Sequence, residues 1–214
     1  LQPRVLAPLP ERETTSLWQW LFAGQQGLDP YSAMTSDVYQ DFFAEGSFTG
    51  KGLLHVATLH AVLGGRLPTD QVLSHDLLEG ALARCAVVSD VTLVEAEPEH
   101  SDTAASRLHR WTRGDWQLWP FLAHARQWGL SPINRWKLTD NLRRSLVAPA
   151  SLLVVLLAMA GLGLPLSTTL AVVLAAYAAA PLMGALAGWV PSRWGLVGVR
   201  FVNEASVDLL RALA

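Results

Sequence analysis

Residues 75–98, HDLLEGALARCAVVSDVTLVEAEP, place a helical pattern directly before a strand pattern. Residues 75–86 space their apolar side chains as an amphipathic helix does. Residues 87–98 alternate apolar and polar side chains and end at Pro98, which is typical of a strand. Because a helix and a strand follow each other so closely, we predict a domain of the α/β class.

The same kinds of element are predicted on both sides of this stretch. Upstream, residues 1–10 are strand-like, residues 14–29 contain a short helix, and a helix from residue 56 ends at the pair Gly64-Gly65. Downstream, residues 103–130 form a long helical region that we expect Pro120 to interrupt. The alternation of helices with strands extends the α/β prediction over residues 1–130.

An uncharged window of 48 residues, from Ser145 to Ser192, follows this domain. A helix needs about 20 apolar residues to cross a bilayer, so the window has room for two spans. Residues 161–167, GLGLPLS, supply the glycines and proline of a tight turn between them. We therefore predict a transmembrane hairpin over residues 146–190, with the lipid bilayer as a partner of the chain.

Basic residues flank the hairpin on both sides. They are Arg135, Lys137, Arg143 and Arg144 before the first span, and Arg193 and Arg200 after the second. Since basic flanks prefer the cytoplasm, residues 1–144 and the tail segment 191–214 are both predicted to be cytoplasmic.

Residues 131–145 form a separate prediction. Ser131 and Pro132 make a helix cap and first turn, and Trp136 lies among the basic residues just before the first span. This pattern favours an interfacial amphipathic helix in the headgroup layer. A soluble surface helix that happens to precede the membrane is the alternative.

Composition excludes several classes of protein. The net charge of −2 offers no basic excess for a nucleic-acid partner. The single cysteine, Cys85, cannot form an internal disulfide, and a small buried hydrophobic side chain is its expected role. Six scattered histidines form no metal motif, so no metal site is predicted within the chain. The start at Leu1 suggests a piece of a longer polypeptide or a processed one.

The loop EGSFTGKG, residues 45–52, is a candidate anion site. Its glycines would let backbone N–H groups approach a phosphate, with Ser47 and Lys51 alongside. It lacks the spacing of a P-loop, and Ser47 does not lie in the elbow of a serine hydrolase. A plain glycine-rich turn is therefore an equally good interpretation of this loop.

Asp76 is the candidate catalytic carboxylate. It lies at the start of a predicted helix, where a general base for a sugar hydroxyl would be well placed. With Glu79 three residues later, it also matches a variant of the capping box, so an ordinary helix cap remains open. His75 could orient Asp76 or simply precede the helix.

A second polar segment, RLHRWTRGDWQL at residues 107–118, combines guanidinium groups with aromatic rings. Guanidinium groups bind phosphate, and flat aromatic faces stack on sugar rings. The residues concerned are Arg110, Trp111, Arg113, Asp115, Trp116 and, just beyond the segment, Trp119. The nine tryptophans of the chain fit carbohydrate binding, although tryptophan also anchors membrane interfaces.

Five motifs together resemble one family. SDVYQDFFAEGSFTGKGLLHV, VLSHDLLEG, VVSDVTLVEAEP, HRWTRGDWQL and NRWKLTDNLRRSLVAPA occur in the order and spacing found in the glycosyltransferase region of the cyclic β-1,2-glucan synthases. These are very large proteins of the bacterial inner membrane. The resemblance runs from Leu1 through the first span.

The resemblance implies the C-terminal half of a GT-A-like glycosyltransferase domain over residues 1–130. The reaction implied is processive and inverting, from UDP-glucose to a growing β-1,2-glucan acceptor. Asp76 would be the general base, while Arg110 and Trp111 would bind the diphosphate and stack beneath the acceptor glucose. Arg107 stands where processive relatives carry glutamine, which leaves its role open.

Such enzymes also hold the nucleotide through a D-x-D pair and a divalent metal, Mg²⁺ or Mn²⁺. No D-x-D occurs in this sequence. The metal ligands are therefore expected in the remainder of the parent polypeptide, and the chain alone is expected to be inactive.

Two alternatives to this function remain. One is the osmoregulated periplasmic glucan glucosyltransferase, which is similar around SHD and RW. The other is a non-catalytic membrane protein that binds a sugar nucleotide, which the missing D-x-D suggests.

Overall fold

The computed structural model describes residues 1–6, 8, 16–22, 37–68, 70–73, 76–96, 98–189 and 198–213. The chain divides into two compact units, Leu1–Ser145 and Leu146–Ala214. Among the predicted site residues, His75 lies outside the described residues.

The described residues form mostly helices, with a pair of strands. In chain order the elements are β1 (Gln2–Leu6), α1 (Leu17–Phe22), α2 (Val38–Phe43), α3 (Val56–Leu63), α4 (Asp76–Ala83), β2 (Val87–Val94), α5 (Ser101–Gln117), α6 (Trp119–Ala123), α7 (Pro132–Met159), α8 (Leu166–Gly188) and α9 (Val199–Leu213). The predicted mixture of helices and strands is confirmed.

Strands β1 and β2 pair in parallel, from Gln2 opposite Val87 to Leu6 opposite Val94. The register shifts directly after Pro3, a residue that has no N–H to donate to a ladder. A parallel pair requires a long crossover, and helices α1 to α4 lie in it. The two strands therefore end at the same edge of the sheet.

The predicted helix boundaries in the first unit are largely confirmed. The break at Pro120 falls between α5 and α6, at Leu118, and Pro120 occupies the first turn of α6. Helix α7 begins at Pro132, and the N–H of Asn134 donates to the hydroxyl of Ser131 at 3.3 Å.

One apolar cluster holds α4, α6 and the start of α7 together. Its members are Leu78, Leu118, Phe121, Ala125, Leu130 and Leu138. Leu78, on α4, is fully buried. Burial of a leucine side chain stabilises a fold by about 1.5–3 kcal/mol, so this cluster fixes α4 in the first unit.

The prediction separated an interfacial helix over residues 131–145 from a first span beginning at residue 146. The structure has instead one continuous helix, α7, from Pro132 to Met159. The predicted interfacial helix is therefore the beginning of a longer helix. Asn134, Lys137, Leu138, Asp140 and Leu142 are buried on its early turns. Protein packing explains this burial, and contact of this segment with lipid headgroups stays a prediction.

Within the described residues, Pro132–Met159 is long and apolar enough to cross a membrane, and Leu166–Ala179 is a shorter apolar stretch. The second predicted span therefore stays a prediction. Helices α8 and α9 pack against each other, with Ala205 of α9 buried. Helix α9 lies within residues 191–214, which were predicted only as a tail segment.

Candidate active site

Asp76 is the first residue of α4, and two glycines of the first unit let this helix approach the loop 45–52 closely. A Cβ atom added at Gly80 would lie 2.6 Å from the Cβ of Phe48. A Cβ added at Gly50 would lie 2.6 Å from Oδ2 and 3.0 Å from Oδ1 of Asp76. The half-buried carboxylate of Asp76 therefore lies directly against the loop.

The carboxylate of Asp76 lies near the charge of Lys51, which belongs to a group of charged side chains. Lys51 of the loop forms an ion pair with Glu95, and Nη2 of Arg107 lies 3.7 Å from Oε1 of Glu95. Burial lowers the pKa of Lys51, the charge of Arg107 lowers it further, and the charge of Asp76 raises it. Lys51, Asp76, Glu95 and Arg107 thus form one cluster, called the charged cluster below.

Trp111 extends the charged cluster along α5. The guanidinium carbon of Arg107 lies 4.6 Å from the centroid of the Trp111 ring, one helical turn away. A cation over the face of tryptophan is attracted by the ring quadrupole. The contact orients Arg107 and places an aromatic ring beside the charges.

Glu95 belongs to the charged cluster although the sequence analysis did not select it. It follows β2 directly, and its N–H donates to the carbonyl of Leu6 at the end of β1. Ligand sites in parallel sheets lie beyond the carboxyl ends of the strands. The predicted strand ran to Pro98 and so included Glu95, whereas β2 ends at Val94. A carboxylate near the carboxyl end of a predicted strand was the signal that could have identified it.

The base of the loop 45–52 is held by helix α7. Nζ of Lys137 donates to the carbonyl of Gly46 at 2.8 Å and to that of Glu45 at 3.3 Å. On the sheet side, the N–H of Thr49 donates to the buried side chain of Gln2 at 2.9 Å. The loop is therefore a fixed support for Asp76 and Lys51.

Two predicted residues, Asp115 and Trp116, have other surroundings. Asp115 accepts a hydrogen bond of 3.2 Å from Nδ2 of Asn141 on α7. Burial raises the pKa of Asp115, while the charge of Arg144 and the bond from Asn141 lower it. Nε1 of Trp116 donates to the hydroxyl of Ser145 at 3.0 Å. These contacts join α5 to α7, and a role of Asp115 or Trp116 in substrate binding stays a prediction.

Arg110 and Ser47 are the remaining predicted substrate-binding residues. Arg110 is exposed on α5, within reach of solvent, and Ser47 is half-buried in the loop 45–52. Their roles also stay predictions. Cys85 is buried, as predicted, and burial raises the pKa of its thiol.

The side chains of the described residues do not form a coordination site for a divalent metal ion. Among them, no group of three or more histidine, cysteine, aspartate or glutamate side chains could hold a metal ion. In the charged cluster the carboxylates lie beside a lysine and an arginine, a donor set that suits an anion better than a cation.

No family model matches the chain. Comparison with curated proteins relates it to the bacterial cyclic glucan synthases, the family that its motifs resemble. The relative is the cyclic β-(1,2)-glucan synthase NdvB of Rhizobium meliloti (strain 1021), with 52% identity over 150 residues. The match covers 70% of this chain and 5% of the relative. The resemblance is therefore confirmed, and the chain corresponds to a small segment of that much larger protein.

Proposed function

We propose that the chain forms the acceptor side of a glucosyltransferase that makes β-1,2-glucan. The donor would be UDP-glucose and the fold of the complete domain would be of the GT-A type. The observation that carries the proposal is the position of Asp76 at the start of α4, against Gly50 and near the charge of Lys51. The similarity to a cyclic glucan synthase supports the same reaction.

In the proposed reaction Asp76 removes the proton from a hydroxyl group of the acceptor glucan. The hydroxyl oxygen then forms a bond to the anomeric carbon of UDP-glucose, and the bond from that carbon to the diphosphate breaks with inversion. UDP leaves with the electron pair of the broken bond. Proton removal by a positioned carboxylate contributes about 10²- to 10⁴-fold to such a rate.

The basic residues of the site would bind the leaving diphosphate. Lys51 and Arg107 share the carboxylate of Glu95, and Lys51 is also near the charge of Asp76. A diphosphate could replace Glu95 as their partner, since guanidinium and ammonium groups bind phosphate strongly. Arg110, one turn from Arg107, is exposed and would add a third positive charge.

Trp111 would bind the acceptor sugar. Arg107 covers one face of the ring, so a glucose unit would stack on the other face. This arrangement would hold the acceptor hydroxyl near Asp76. Trp111 on α5 would then position the sugar from which Asp76 on α4 removes a proton.

The proposed enzyme needs parts beyond the described residues. A Mg²⁺ or Mn²⁺ ion would be bound by residues elsewhere in the parent polypeptide. We also propose that the parent is a multi-pass protein of the bacterial inner membrane, with residues 1–144 in the cytoplasm. The apolar part of α7 supports this placement.

The test uses the purified parent protein with radiolabelled UDP-glucose. Label should enter a glucan whose linkages are β-1,2 by NMR, which establishes both the donor and inversion from the α-linked donor. The 214-residue chain alone should incorporate none. Incorporation by the chain alone, α-linked product, or label taken only from another nucleotide sugar would each contradict the proposal.

A further inference from the structure

A second concave site lies in the first unit at the far end of α4 from Asp76. It is a cavity of about 830 Å³ between α2, the end of α4 and the start of α7. Small-molecule sites have volumes of about 300–1,000 Å³, so the cavity is large enough for several sugar rings. Its lining includes Tyr39, Phe43, Glu45, Arg84, Asn134 and Trp136.

Aromatic side chains form the opening of this cavity. Phe43 is 54% exposed and Trp136 is 53% exposed, although both line the same concavity. Phe42, beside them, is 80% exposed, and its ring centroid lies 6.5 Å from that of Phe43. Large exposed aromatic groups around a pocket are typical of a binding site.

The polar groups of the lining determine which ligand would fit. Glu45 and Asn134 are both buried, and Nδ2 of Asn134 donates to Oε1 of Glu45 at 2.6 Å and to the carbonyl of Ala81 at 3.3 Å. The amide donor is therefore used within the protein. A ligand would meet acceptors, namely the second carboxylate oxygen of Glu45 and the amide oxygen of Asn134.

A neutral saccharide satisfies these conditions better than a phospholipid does. Sugar hydroxyls donate hydrogen bonds to carboxylate and amide oxygens, and the C–H faces of sugar rings stack on aromatic side chains. A phosphodiester group carries only acceptors, so it could not form hydrogen bonds with the acceptor oxygens of Glu45 and Asn134. Arg84 is exposed at the edge and does not alter the character of the buried polar pair.

We propose that this cavity is a secondary binding site for the β-linked glucan, separate from the acceptor position beside Asp76. The inference rests on the proposed function for its ligand. The two sites are connected by the loop 45–52, because Glu45 lines the cavity and Gly50 contacts Asp76. Binding at both ends of this loop would keep a growing chain attached between transfer steps.

The experiment measures binding of short linear β-1,2-gluco-oligosaccharides to the full chain in detergent by isothermal titration calorimetry. The test variants are Trp136→Ala and Phe43→Ala. Trp189→Ala is the matched control, since Trp189 is 39% exposed and does not line the cavity. Trp111→Ala reports on the acceptor position. Circular dichroism verifies that each variant is folded.

Loss of one aromatic stacking partner should weaken the cavity's affinity at least about fivefold in both test variants. Affinity at this site should be unchanged in Trp189→Ala and retained in Trp111→Ala. Binding that is lost in Trp111→Ala and unchanged in Trp136→Ala would overturn the inference but leave the proposed function intact. No binding of the oligosaccharide, or binding only of anionic phospholipid vesicles, would also overturn it.

Discussion

The role of Asp76 could be predicted only in part from the sequence. The sequence pattern places its carboxylate at the start of an amphipathic helix. That position suits a helix cap and a general base equally, so the pattern does not choose between the two roles. The contact with Gly50 and the nearby charge of Lys51 support the proposed role of Asp76 as a general base. Both come from segments distant in sequence, so no local pattern could predict them.

The contact between Gly50 and Asp76 leads to a prediction about glycine substitutions. Gly50 has φ +83° and Gly65 has φ +69°, so alanine at either position costs about 1–2 kcal/mol of backbone strain. Only at position 50 would the added Cβ displace the carboxylate of Asp76, because nothing lies within 4 Å of a Cβ at Gly65.

In the parent protein, Gly50→Ala should therefore lower the rate of glucan transfer at least tenfold more than Gly65→Ala does. The measurement is incorporation of label at saturating UDP-glucose, with thermal unfolding of both variants as the stability control. Equal rates in the two variants would show that the position of Asp76 does not matter for transfer.

Asp115 gives a prediction about pH. Burial raises its pKa in the folded chain, so the folded state binds the proton more tightly than the unfolded state does. Stability then falls as pH rises from the unfolded pKa to the folded pKa. The Asp115→Asn variant has no carboxyl group at this position, so it does not lose stability in this way. The Tm of the variant minus the Tm of the original chain should therefore increase as pH rises through that interval.

Thermal unfolding of the full chain in detergent, followed by circular dichroism across the acidic pH range, measures this difference for Asp115→Asn. A Tm difference that stays constant with pH would show that burial of Asp115 does not penalise its ionised form.

At the scale of elements, the sequence predicted α3, α4, β2 and the break at Pro120, because each has a strong local period or terminator. The unbroken course of α7 was not predicted. Asn134 and Lys137 look like surface residues in the sequence, yet both are buried because they bind groups of the loop 45–52. Partners so distant in the chain leave no periodic signal.

The packing of α4 on this loop predicts an unusual effect of a helix substitution. Replacing glycine by alanine inside a helix usually stabilises it by up to about 1 kcal/mol. At Gly80 the added Cβ would lie 2.6 Å from the Cβ of Phe48 and 3.2 Å from its backbone nitrogen. Gly80→Ala should therefore destabilise the chain, by about 1–3 kcal/mol.

Chemical unfolding of the full chain, followed by the helical circular dichroism signal, measures the change caused by Gly80→Ala. A gain in stability would mean that the higher helix propensity of alanine outweighs any clash with Phe48. It would contradict the close packing of α4 against the loop 45–52.

At the scale of the whole molecule, the similarity between the chain and its relative covers 5% of the relative's length. The hydrophobic pattern alone suggested a membrane hairpin, whereas the donor half of the active site could not be located from this sequence. Among the described residues, no group of three or more histidine, cysteine, aspartate or glutamate side chains could hold the metal ion that would help to neutralise a leaving diphosphate. The catalytic carboxylate and the metal ligands are therefore expected in different segments of the parent.

The hairpin predicts a definite topology. In a Cys85→Ala background, Gly163→Cys, between α7 and α8, should react with a membrane-impermeant maleimide added to intact spheroplasts. Ser106→Cys, exposed on α5, should react only after lysis. Labelling of the cysteine at position 163 only after lysis would contradict a hairpin that reaches the periplasmic side.

The central claim is that Asp76 removes a proton during glucan transfer. Its most direct test compares Asp76→Asn with Asp102→Asn in the parent protein, because Asp102 is an exposed carboxylate in the first turn of another helix, α5. Transfer should fall about 10²- to 10⁴-fold in Asp76→Asn while UDP-glucose still binds, and it should be unchanged in Asp102→Asn. Near-normal glucan output from Asp76→Asn would show that Asp76 is a helix cap and not the base.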